Sequence, residues 1–279
     1  MQVYRYFDIG TAKPSKEEQL LVRHHLIDIA DPDESYNAAQ FATDVGRIVP
    51  EIVGRGRIPI LAGGTGLYIR AAVTGFLFPS PGRDEQYRRT LEQEAEECGN
   101  EYLWEKLRRV DPVSAARIHG NDLVRIIRAL EVYQQSGLPV SQQAERGPQG
   151  GSERYDCLMV CLNRDRTELY ERINRRVDQM IENGLVEEAR KLYPKRHLNS
   201  LNTVGYKELF DYFDGNCTLD FAIGKIKQHS RNYARKQMTW FKRDKEINWI
   251  DLSNNKLDAV EKSIHLISQC NRMGKKTDG

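Results

Sequence analysis

A glycine-rich turn is the first candidate for chemistry. Gly63, Gly64, Thr65 and Gly66 follow the apolar run RIPILA and precede the helical spacing of GLYIRAAVT. Glycines allow a ligand to approach the backbone closely, and amides at a helix start attract anions, so the turn could bind phosphate. Tight packing against a neighbouring element is the alternative. No Gly-Lys-Ser or Gly-Lys-Thr follows, and no P-loop motif occurs in the 279 residues.

An arginine on a long helix is the second candidate. The stretch from Asp165 has an apolar stripe at helical spacing, formed by Leu169, Ile173, Val177, Met180 and Ile181. At about 100° per residue, Arg176 falls about 70° from the centre of this stripe, whereas Arg175 points almost opposite. We therefore expect Arg176 to face inward. An inward arginine requires an anionic partner, which is either a carboxylate of the protein or a bound phosphate.

A basic segment is the third candidate. The run 225–245, KIKQHSRNYARKQMTWFKRDK, holds eight Lys or Arg against one Asp, interleaved with Tyr233, Trp240 and Phe241. Positive charge beside aromatic rings suits phosphate contact and base stacking. A solvated helix face is the alternative, although such a face usually carries balancing acids. The residues alone leave RNA, another polyanion and plain surface open.

Several polar residues resemble catalytic groups without the spacing that chemistry needs. His24 and His25 have no metal-ligating partner at helical spacing, which favours a structural or supporting role. Asp28 and Asp31 could act as paired carboxylates, but cap and turn roles are more typical of their context. His119, beside Gly120 and Asn121, indicates a turn.

The elements that position these residues alternate between strand and helix. RIPILAGG (57–64) predicts a strand buried in a parallel sheet, preceded by the helix NAAQFATDVGRIVPEIVGRG and followed by a helix that Thr65 caps and Gly75 ends. Residues 87–135 predict helices only, a turn-rich stretch covers 145–155, and CLMVCLNRD supplies a second buried strand. The predicted class is α/β, with ligands beyond the carboxyl ends of the strands.

Composition excludes several classes of protein. A hydrophobic share of 39% and a charged share of 29% are typical of a soluble globular protein, and no apolar run reaches the ~18 residues that a membrane helix needs. We expect a cytoplasmic protein. The five cysteines form no Cys-x-x-Cys pair and predict no metal site, and burial as small apolar side chains is expected of Cys157 and Cys161. The net charge of +2 gives no general attraction for anions.

Seven blocks in order closely resemble the bacterial tRNA dimethylallyltransferase family. They are MQVYRYFDIGTAKP, HHLIDIADPDESYNAAQF, GRIPILAGGTGLYI, DPVSAARIHGNDLVRIIRALEVY, RINRRVDQMIENGLVEEAR, NTVGYKEL and ARKQMTWFKRD. The resemblance spans 1–249 and implies a P-loop-NTPase-like parallel sheet with a helical insertion. It places the first part of the α/β core at 1–78, a tRNA-contacting helical insertion at 79–150, and the rest of the core with a basic C-terminal region at 151–279.

The resemblance implies a reaction. Members transfer a dimethylallyl group from dimethylallyl diphosphate to N6 of adenosine 37 of tRNA, use Mg²⁺, and carry a nucleotide-binding core of the kind that ATP-binding proteins share. Their partner is the tRNA anticodon stem-loop, and the chain is expected to be a monomer without membrane contact. In the family, a phosphate loop and an Asp-Ser-x-Gln-x-Tyr motif precede this point, and the chain matches only the end of that motif, from Met1 to Tyr4. We therefore expect the chain as written to lack the loop and the catalytic Asp and to be inactive.

Residues of this chain that match family positions receive expected roles. The catalytic pair is Thr65 and Arg176, and the diphosphate site consists of Gly63, Gly64, Thr65 and Arg176. The tRNA-contacting positions are Met1, Gln2, Arg88, Val124, Arg125, Ile126, Ile127, Arg128, Asn202, Thr203, Val204, Gly205, Tyr206, Lys207, Arg235, Lys236, Gln237, Met238, Thr239, Trp240, Phe241 and Lys242. Among them, the arginines and lysines 125, 128, 235, 236 and 242 are expected on phosphates, whereas Trp240 fits the core equally well.

Other functions stay open at this point. The chain could be a non-catalytic tRNA-binding remnant, an adenine-nucleotide prenyltransferase that shares the core, or a relative of nucleoside monophosphate kinases. The basic 234–244 segment argues against the adenine-nucleotide enzymes, and a kinase would need a P-loop. The C-terminal 28 residues hold one Cys and one His, so the zinc finger of eukaryotic relatives is not expected there.

Overall fold

A computed structural model of the chain describes residues 1–74, 82–146, 155–253 and 256–273. The first helices are α1 (Lys16–Leu21), α2 (Ala38–Gly54) and α3 (Gly66–Thr74). They are followed by α4 (Glu85–Cys98), α5 (Asn100–Val110), α6 (Pro112–Arg117), α7 (Leu123–Ser136) and α8 (Val140–Arg146). The remaining elements are β1 (Val160–Asn163), α9 (Arg166–Glu182), α10 (Leu185–Leu192), α11 (Tyr206–Phe213), α12 (Leu219–Phe241), β2 (Asn248–Asp251) and α13 (Lys256–Met273).

The chain divides into two compact units. The first contains Met1–Ile69 with Asp156–Gly279, and the second contains Arg70–Tyr155. The predicted boundaries at 78/79 and 150/151, the predicted helix stop at Gly75 and most of the predicted turn-rich stretch lie outside the described residues. The domain limits given above therefore stay a prediction.

The first unit is built around a parallel strand pair and a helical core. β1 pairs with β2 in parallel, with Val160 opposite Asn248 and Asn163 opposite Asp251. The core includes Phe7, Leu185 and Tyr206, all of them fully buried. A parallel sheet beside helices confirms the predicted α/β class.

Two strand predictions need correction. Residues 57–64 form neither a helix nor a strand, and Ile58 and Ile60 are 59% and 80% exposed. An extended segment becomes a strand only when a neighbour completes its ladder, and no described segment pairs with this one. The CLMVCLNRD stretch does form β1, but it is half exposed, so Cys157 and Cys161 are only partly buried.

Local signals account for the long helices. Asn37 caps α2 by accepting hydrogen bonds from the amides of Ala39 and Gln40, and Asp165 caps α9 in the same way. The helices predicted over 37–56 and 65–75 and the long helix predicted from Asp165 are confirmed as α2, α3 and α9. α8 was not predicted, because its polar sequence VSQQAER has no apolar period.

The described residues of the second unit form helices and no strand, as the sequence predicts for 87–135. α4, α5 and α7 enclose a core that includes Leu91, Leu103, Leu107, Ile126 and Leu130. None of the helices within the described ranges is both long and apolar enough to span a membrane.

Candidate functional site

The glycine turn packs against the basic helix α12. Nε2 of Gln237 donates a hydrogen bond of 3.0 Å to the carbonyl oxygen of Gly64. A Cβ at Gly64 would lie 1.9 Å from this nitrogen, and a Cβ at Gly66 would lie 2.0 Å from Nε1 of Trp240. A side chain at Gly66 would have to displace the indole ring of Trp240, whereas one at Gly64 would displace only the end of the Gln237 side chain, and both close approaches support the packing interpretation of these two residues. Gly63 has open space at its Cβ position and carries no such requirement.

Thr65 lies at the start of α3 with an exposed side chain. Its carbonyl oxygen accepts hydrogen bonds from the backbone amides of Tyr68 and Ile69 at 3.0 and 3.2 Å, and these bonds close the first turn of the helix. Its hydroxyl lies 3.5 Å from the hydroxyl of Tyr233 on α12. The predicted donor residue and the predicted basic helix are thus in direct contact.

The surface of α12 has the predicted mixture of charge and aromatic rings. Arg235, Lys236 and Lys242 are exposed, and Tyr233 and Trp240 are 47% and 41% exposed. Trp240 is therefore not a core residue: its ring packs on Gly66 while 41% of the residue stays exposed. Such a surface can bind phosphates and stack on bases.

Arg176 differs from its expected environment. It lies on α9 beside the apolar stripe, as the periodicity predicts, but its side chain is exposed. No ion pair of Arg176 is found among the described residues, although Asp178 and Asn174 nearby on α9 bind Lys227 and Arg231 of α12. The expectation that Arg176 faces inward is therefore wrong, and its exposed guanidinium is available for a ligand.

The N-terminal residues are structural as well as accessible. The side-chain amide of Gln2 donates to the carbonyls of Thr11 and Ala12 at 3.1 and 3.0 Å. Met1 is 47% exposed. The side chain of Gln2 thus ties down the 11–12 turn, and only Met1 presents a free side chain for the predicted tRNA contact.

Residues 202–207 divide into exposed and buried members. Asn202 and Lys207 are exposed, whereas Tyr206 is fully buried in the core and is removed from the expected tRNA contacts. Burial, together with Glu188, raises the pKa of Tyr206. The segment enters α11 at Gly205, whose φ of +106° favours glycine.

A buried carboxylate anchors that segment. Glu208 is 4% exposed and accepts hydrogen bonds from the amide of Gly205 at 2.8 Å and from Nδ1 of His229 at 2.6 Å. Because His229 belongs to α12, Glu208 joins the start of α11 to the basic helix.

Two of the predicted contacts in the helical unit, Arg88 and Arg128, meet at Glu131. This carboxylate is fully buried. It accepts hydrogen bonds from Nε and Nη2 of Arg88 at 2.8 Å each, from Nη1 of Arg128 at 2.5 Å and from the backbone amide of Asp84 at 2.8 Å. Burial alone would raise the pKa of Glu131, but the two guanidinium groups and the amide lower it to about 2. Arg88 is therefore mainly a structural partner.

Exposure separates the remaining positions of α7. Arg125 is 71% exposed and Val124 is 74% exposed, so both are accessible. Ile126 and Ile127 are 0% and 3% exposed and belong to the helical core, so they are removed from the expected tRNA contacts. The error arose because the match was to a continuous segment, whereas a helix alternates its faces.

The weaker candidates have structural partners. Lys13 binds Asp28, and Arg5 pairs with Asp31 at 3.1 Å. His119 accepts the amide of Asn121 at 3.1 Å within a turn, as predicted. Across the described residues, no group of three or more His, Cys, Asp or Glu side chains is placed to hold a metal ion, so no site for Mg²⁺ is assigned.

Sequence reasoning missed three anchoring acids: Glu131, Glu188 and Glu208. Each accepts several hydrogen bonds and ties segments together. The available signal was an acid within an apolar helical stretch, as in RALEVY and YKELF, because such an acid is buried only when it is paired.

The fold and the site define an α/β protein with a helical second unit. The sequence model of the IPP transferase family matches residues 2–244. The chain is 46% identical over 266 residues to a tRNA dimethylallyltransferase of Carboxydothermus hydrogenoformans, covering 95% of this chain and 85% of the relative. It is 47% identical over 258 residues to one from Geobacillus kaustophilus, covering 91% and 81%. The chain therefore belongs to the IPP transferase family, whose members are prenyl-transferring enzymes.

Solved structures agree with this assignment. The full-length tRNA isopentenylpyrophosphate transferase of Bacillus halodurans aligns with a TM-score of 0.71 and 41% identity, over all of this chain and 88% of that one. A eukaryotic dimethylallyltransferase described as acting on tRNA aligns with a TM-score of 0.75 and 25% identity, over 91% of this chain and 66% of that one. The resemblance stated from the seven blocks is confirmed.

Proposed function

We propose that this protein transfers a dimethylallyl group from dimethylallyl diphosphate to N6 of adenosine 37 in tRNA, with the RNA bound on α12 and the diphosphate bound beside Thr65. The observation that carries the proposal is the contact between Thr65 and α12. The hydroxyl of Thr65 lies 3.5 Å from Tyr233, on the helix that also exposes Arg235 and Lys236. One face can thus meet the diphosphate and the RNA together.

The reaction divides between the two substrates. The bond between carbon and the diphosphate oxygen breaks, the adenine N6 forms the new bond to carbon, and the N6 proton passes to a base. Negative charge grows on the departing diphosphate, and fixed donors aimed at it lower the barrier. In this chain we assign Thr65 and Arg176 to that role, with the backbone of Gly63 and Gly64 beside them. The resemblance implies an Asp as the base that takes this proton.

The RNA side requires an extruded base. Adenine 37 must leave the stack of the anticodon loop, at a cost of a few kcal/mol that contacts to the RNA recover. We assign phosphate contacts to Arg125, Arg235, Lys236 and Lys242, and stacking to the exposed ring of Trp240. Further accessible contacts are Met1, Val124, Asn202, Lys207 and Thr239. The enzyme is proposed to act as a cytoplasmic monomer, with Mg²⁺ as the metal that the resemblance implies.

Binding and transfer are tested separately. An anticodon stem-loop RNA is titrated onto the 279-residue chain over a series of salt concentrations, with the Arg235→Gln/Lys236→Gln double variant beside it. We expect the double variant to bind more weakly and to reduce the slope of log affinity against log salt by about 1 to 2, because up to two phosphate contacts are lost. The matched control removes two exposed lysines outside α12, Lys191 and Lys195, and should keep the slope.

An unchanged slope in the double variant would contradict the assignment of the RNA surface. Radiolabelled dimethylallyl diphosphate with the same RNA then reports on transfer. RNA binding without transfer supports the alternative of a non-catalytic tRNA-binding protein for the chain as written. Transfer to free adenine nucleotides in preference to RNA would favour the adenine-nucleotide prenyltransferases instead.

A further inference from the structure

The glycine turn has few supports other than α12. The segment before it forms no regular structure and is exposed, as the 80% exposure of Ile60 shows, and it pairs with no described strand. The hydrogen bonds that Thr65 accepts through its carbonyl come from its own helix, α3. Within the described part of the chain, the hydrogen bonds that connect residues 57–66 to distant elements come from Gln237 and Tyr233.

Three side chains of α12 make this contact from one helix face. Tyr233, Gln237 and Trp240 are separated by four and three residues, the spacing that aligns side chains along a helix. They meet Thr65, Gly64 and Gly66 in that order along α12. The absence of side chains at Gly64 and Gly66 is what allows this approach.

The same helix carries exposed basic side chains beside this contact and on the opposite side. Lys236 lies about 60° around the helix from Tyr233, and Arg235 lies on the far side. Both side chains are exposed. Gln237 is half-buried and its amide nitrogen is hydrogen-bonded to the turn, so it is removed from the expected tRNA contacts. A ligand that binds the basic side of α12 therefore acts on a rigid element whose other side holds the turn.

We propose that Gln237 is a positioning residue that couples RNA binding on α12 to the order of the Gly63–Gly66 turn. RNA held by the basic residues restrains α12, and the hydrogen bond from Gln237 to the Gly64 carbonyl passes that restraint to the turn. The hydroxyl of Thr65 is then fixed where the leaving diphosphate is expected. This inference rests on the proposed function, because it requires RNA on α12, and it adds a link between acceptor binding and the donor site.

Amide hydrogen exchange tests the coupling without requiring turnover. Exchange of peptides covering residues 61–69 is followed in the free chain and with a saturating anticodon stem-loop RNA, and the RNA affinity is measured separately. We expect RNA to slow exchange of the wild-type turn by about fivefold or more. In Gln237→Met, which keeps the length of the side chain but cannot donate, RNA should bind within about twofold of wild type while the slowing falls below about twofold.

Two further variants make the test specific. Gln237→Glu keeps the shape and places a carboxylate against the Gly64 carbonyl, so it should also lose the coupling. Gln228→Met makes the same substitution at an exposed position of α12, and this variant should keep the coupling between RNA binding and the turn. RNA binding with equal slowing in wild type and Gln237→Met overturns the inference and leaves the proposed function intact. Absence of RNA binding to the wild type overturns both.

Discussion

The hydroxyl of Tyr206 donates a hydrogen bond of 2.7 Å to Oε1 of Glu188. The same carboxylate accepts the backbone amides of Asp8, Ile9 and Gly10 at 3.0, 2.8 and 2.9 Å. Four donors thus converge on one acid from α10. The N-terminal segment is anchored to the helical core by this acid, and the segment's fit depends on how closely Gly10 approaches the Tyr206 ring.

Gly10→Ala should destabilise the protein because there is no room for a methyl group. A Cβ at this position would lie 2.7 Å from Cζ and from the hydroxyl oxygen of Tyr206, which is fully buried and cannot move freely. We expect the free energy of unfolding to fall by about 1 to 3 kcal/mol, as in other overpacked cores. Urea denaturation measures the change.

Gly54→Ala is the control for that substitution. Gly54 is the last residue of α2, and a Cβ added there would meet no neighbouring atom within 4 Å. Because alanine favours a helix, this variant should be neutral or up to about 1 kcal/mol more stable. Equal destabilisation by both substitutions would show that the contact with Tyr206 is not responsible.

Removing the charge of Glu131 should lower the stability of the helical unit. Glu131→Gln leaves Arg88 and Arg128 facing an amide in a fully buried position, and breaking a buried pair costs about 3 to 5 kcal/mol. Glu96→Gln on α4, an exposed acid, should change stability by less than about 0.5 kcal/mol. Thermal and urea unfolding of both variants make the comparison.

The same residue predicts a loss of stability in acid. The pKa of Glu131 is about 2 in the folded protein, below the ordinary value of 4.5. Stability from this group is complete above the unfolded pKa, near 4.5, and is lost as the pH falls toward 2, by an amount on the order of 3 kcal/mol. The wild type should therefore lose more stability than Glu131→Gln between about pH 5 and pH 2. Equal losses of unfolding free energy with falling pH in the two proteins would contradict the assigned pKa.

Elements with local signals were predictable from the sequence, whereas elements that depend on distant partners were not. α9 has an acidic cap at Asp165 and a clear apolar period, so the helix and its start were predictable, although it ends at Glu182, before the Asn-Gly pair that precedes α10. The apolar run 57–64 carries the same kind of signal for a strand, yet a strand also needs a neighbour, which sequence spacing does not reveal. Two bulky residues, Tyr6 and Leu26, adopt positive φ angles of 69° and 60°, which no local preference predicts.

The candidate site was predictable in part for the same reason. Matching segments located Thr65 and α12, because glycine turns and basic runs are visible in one dimension. The partners Gln237–Gly64 and Glu131–Arg88 were not visible, since they join residues 173 and 43 positions apart. A segment match also includes both helix faces, which is why buried Ile126 was grouped with exposed Arg125.

Arg125 and Arg88 should affect RNA binding differently, because only one of them is free to meet a phosphate. The side chain of Arg125 is 71% exposed and that of Arg88 is 16% exposed against Glu131. Arg125→Gln should weaken stem-loop binding and reduce the salt slope by about 1 without loss of stability. Arg88→Gln should lower stability by more than about 1 kcal/mol, with little change in the slope measured on folded protein. A larger slope change for Arg88→Gln would reverse the assignment.

Arg176 and Arg175 are adjacent on α9, and both are exposed, so they form a matched pair for the donor site. They lie about 100° apart around the helix, and only Arg176 lies on the flank beside the apolar stripe. A hydrogen bond between charged groups contributes about 1.5 to 3 kcal/mol, so Arg176→Gln should weaken the binding of inorganic diphosphate by about tenfold or more. Arg175→Gln should bind inorganic diphosphate with an affinity within about twofold of wild type. Calorimetric titration with diphosphate measures both, and equal affinities for the two variants would remove Arg176 from the donor site while leaving the RNA surface of α12 unaffected.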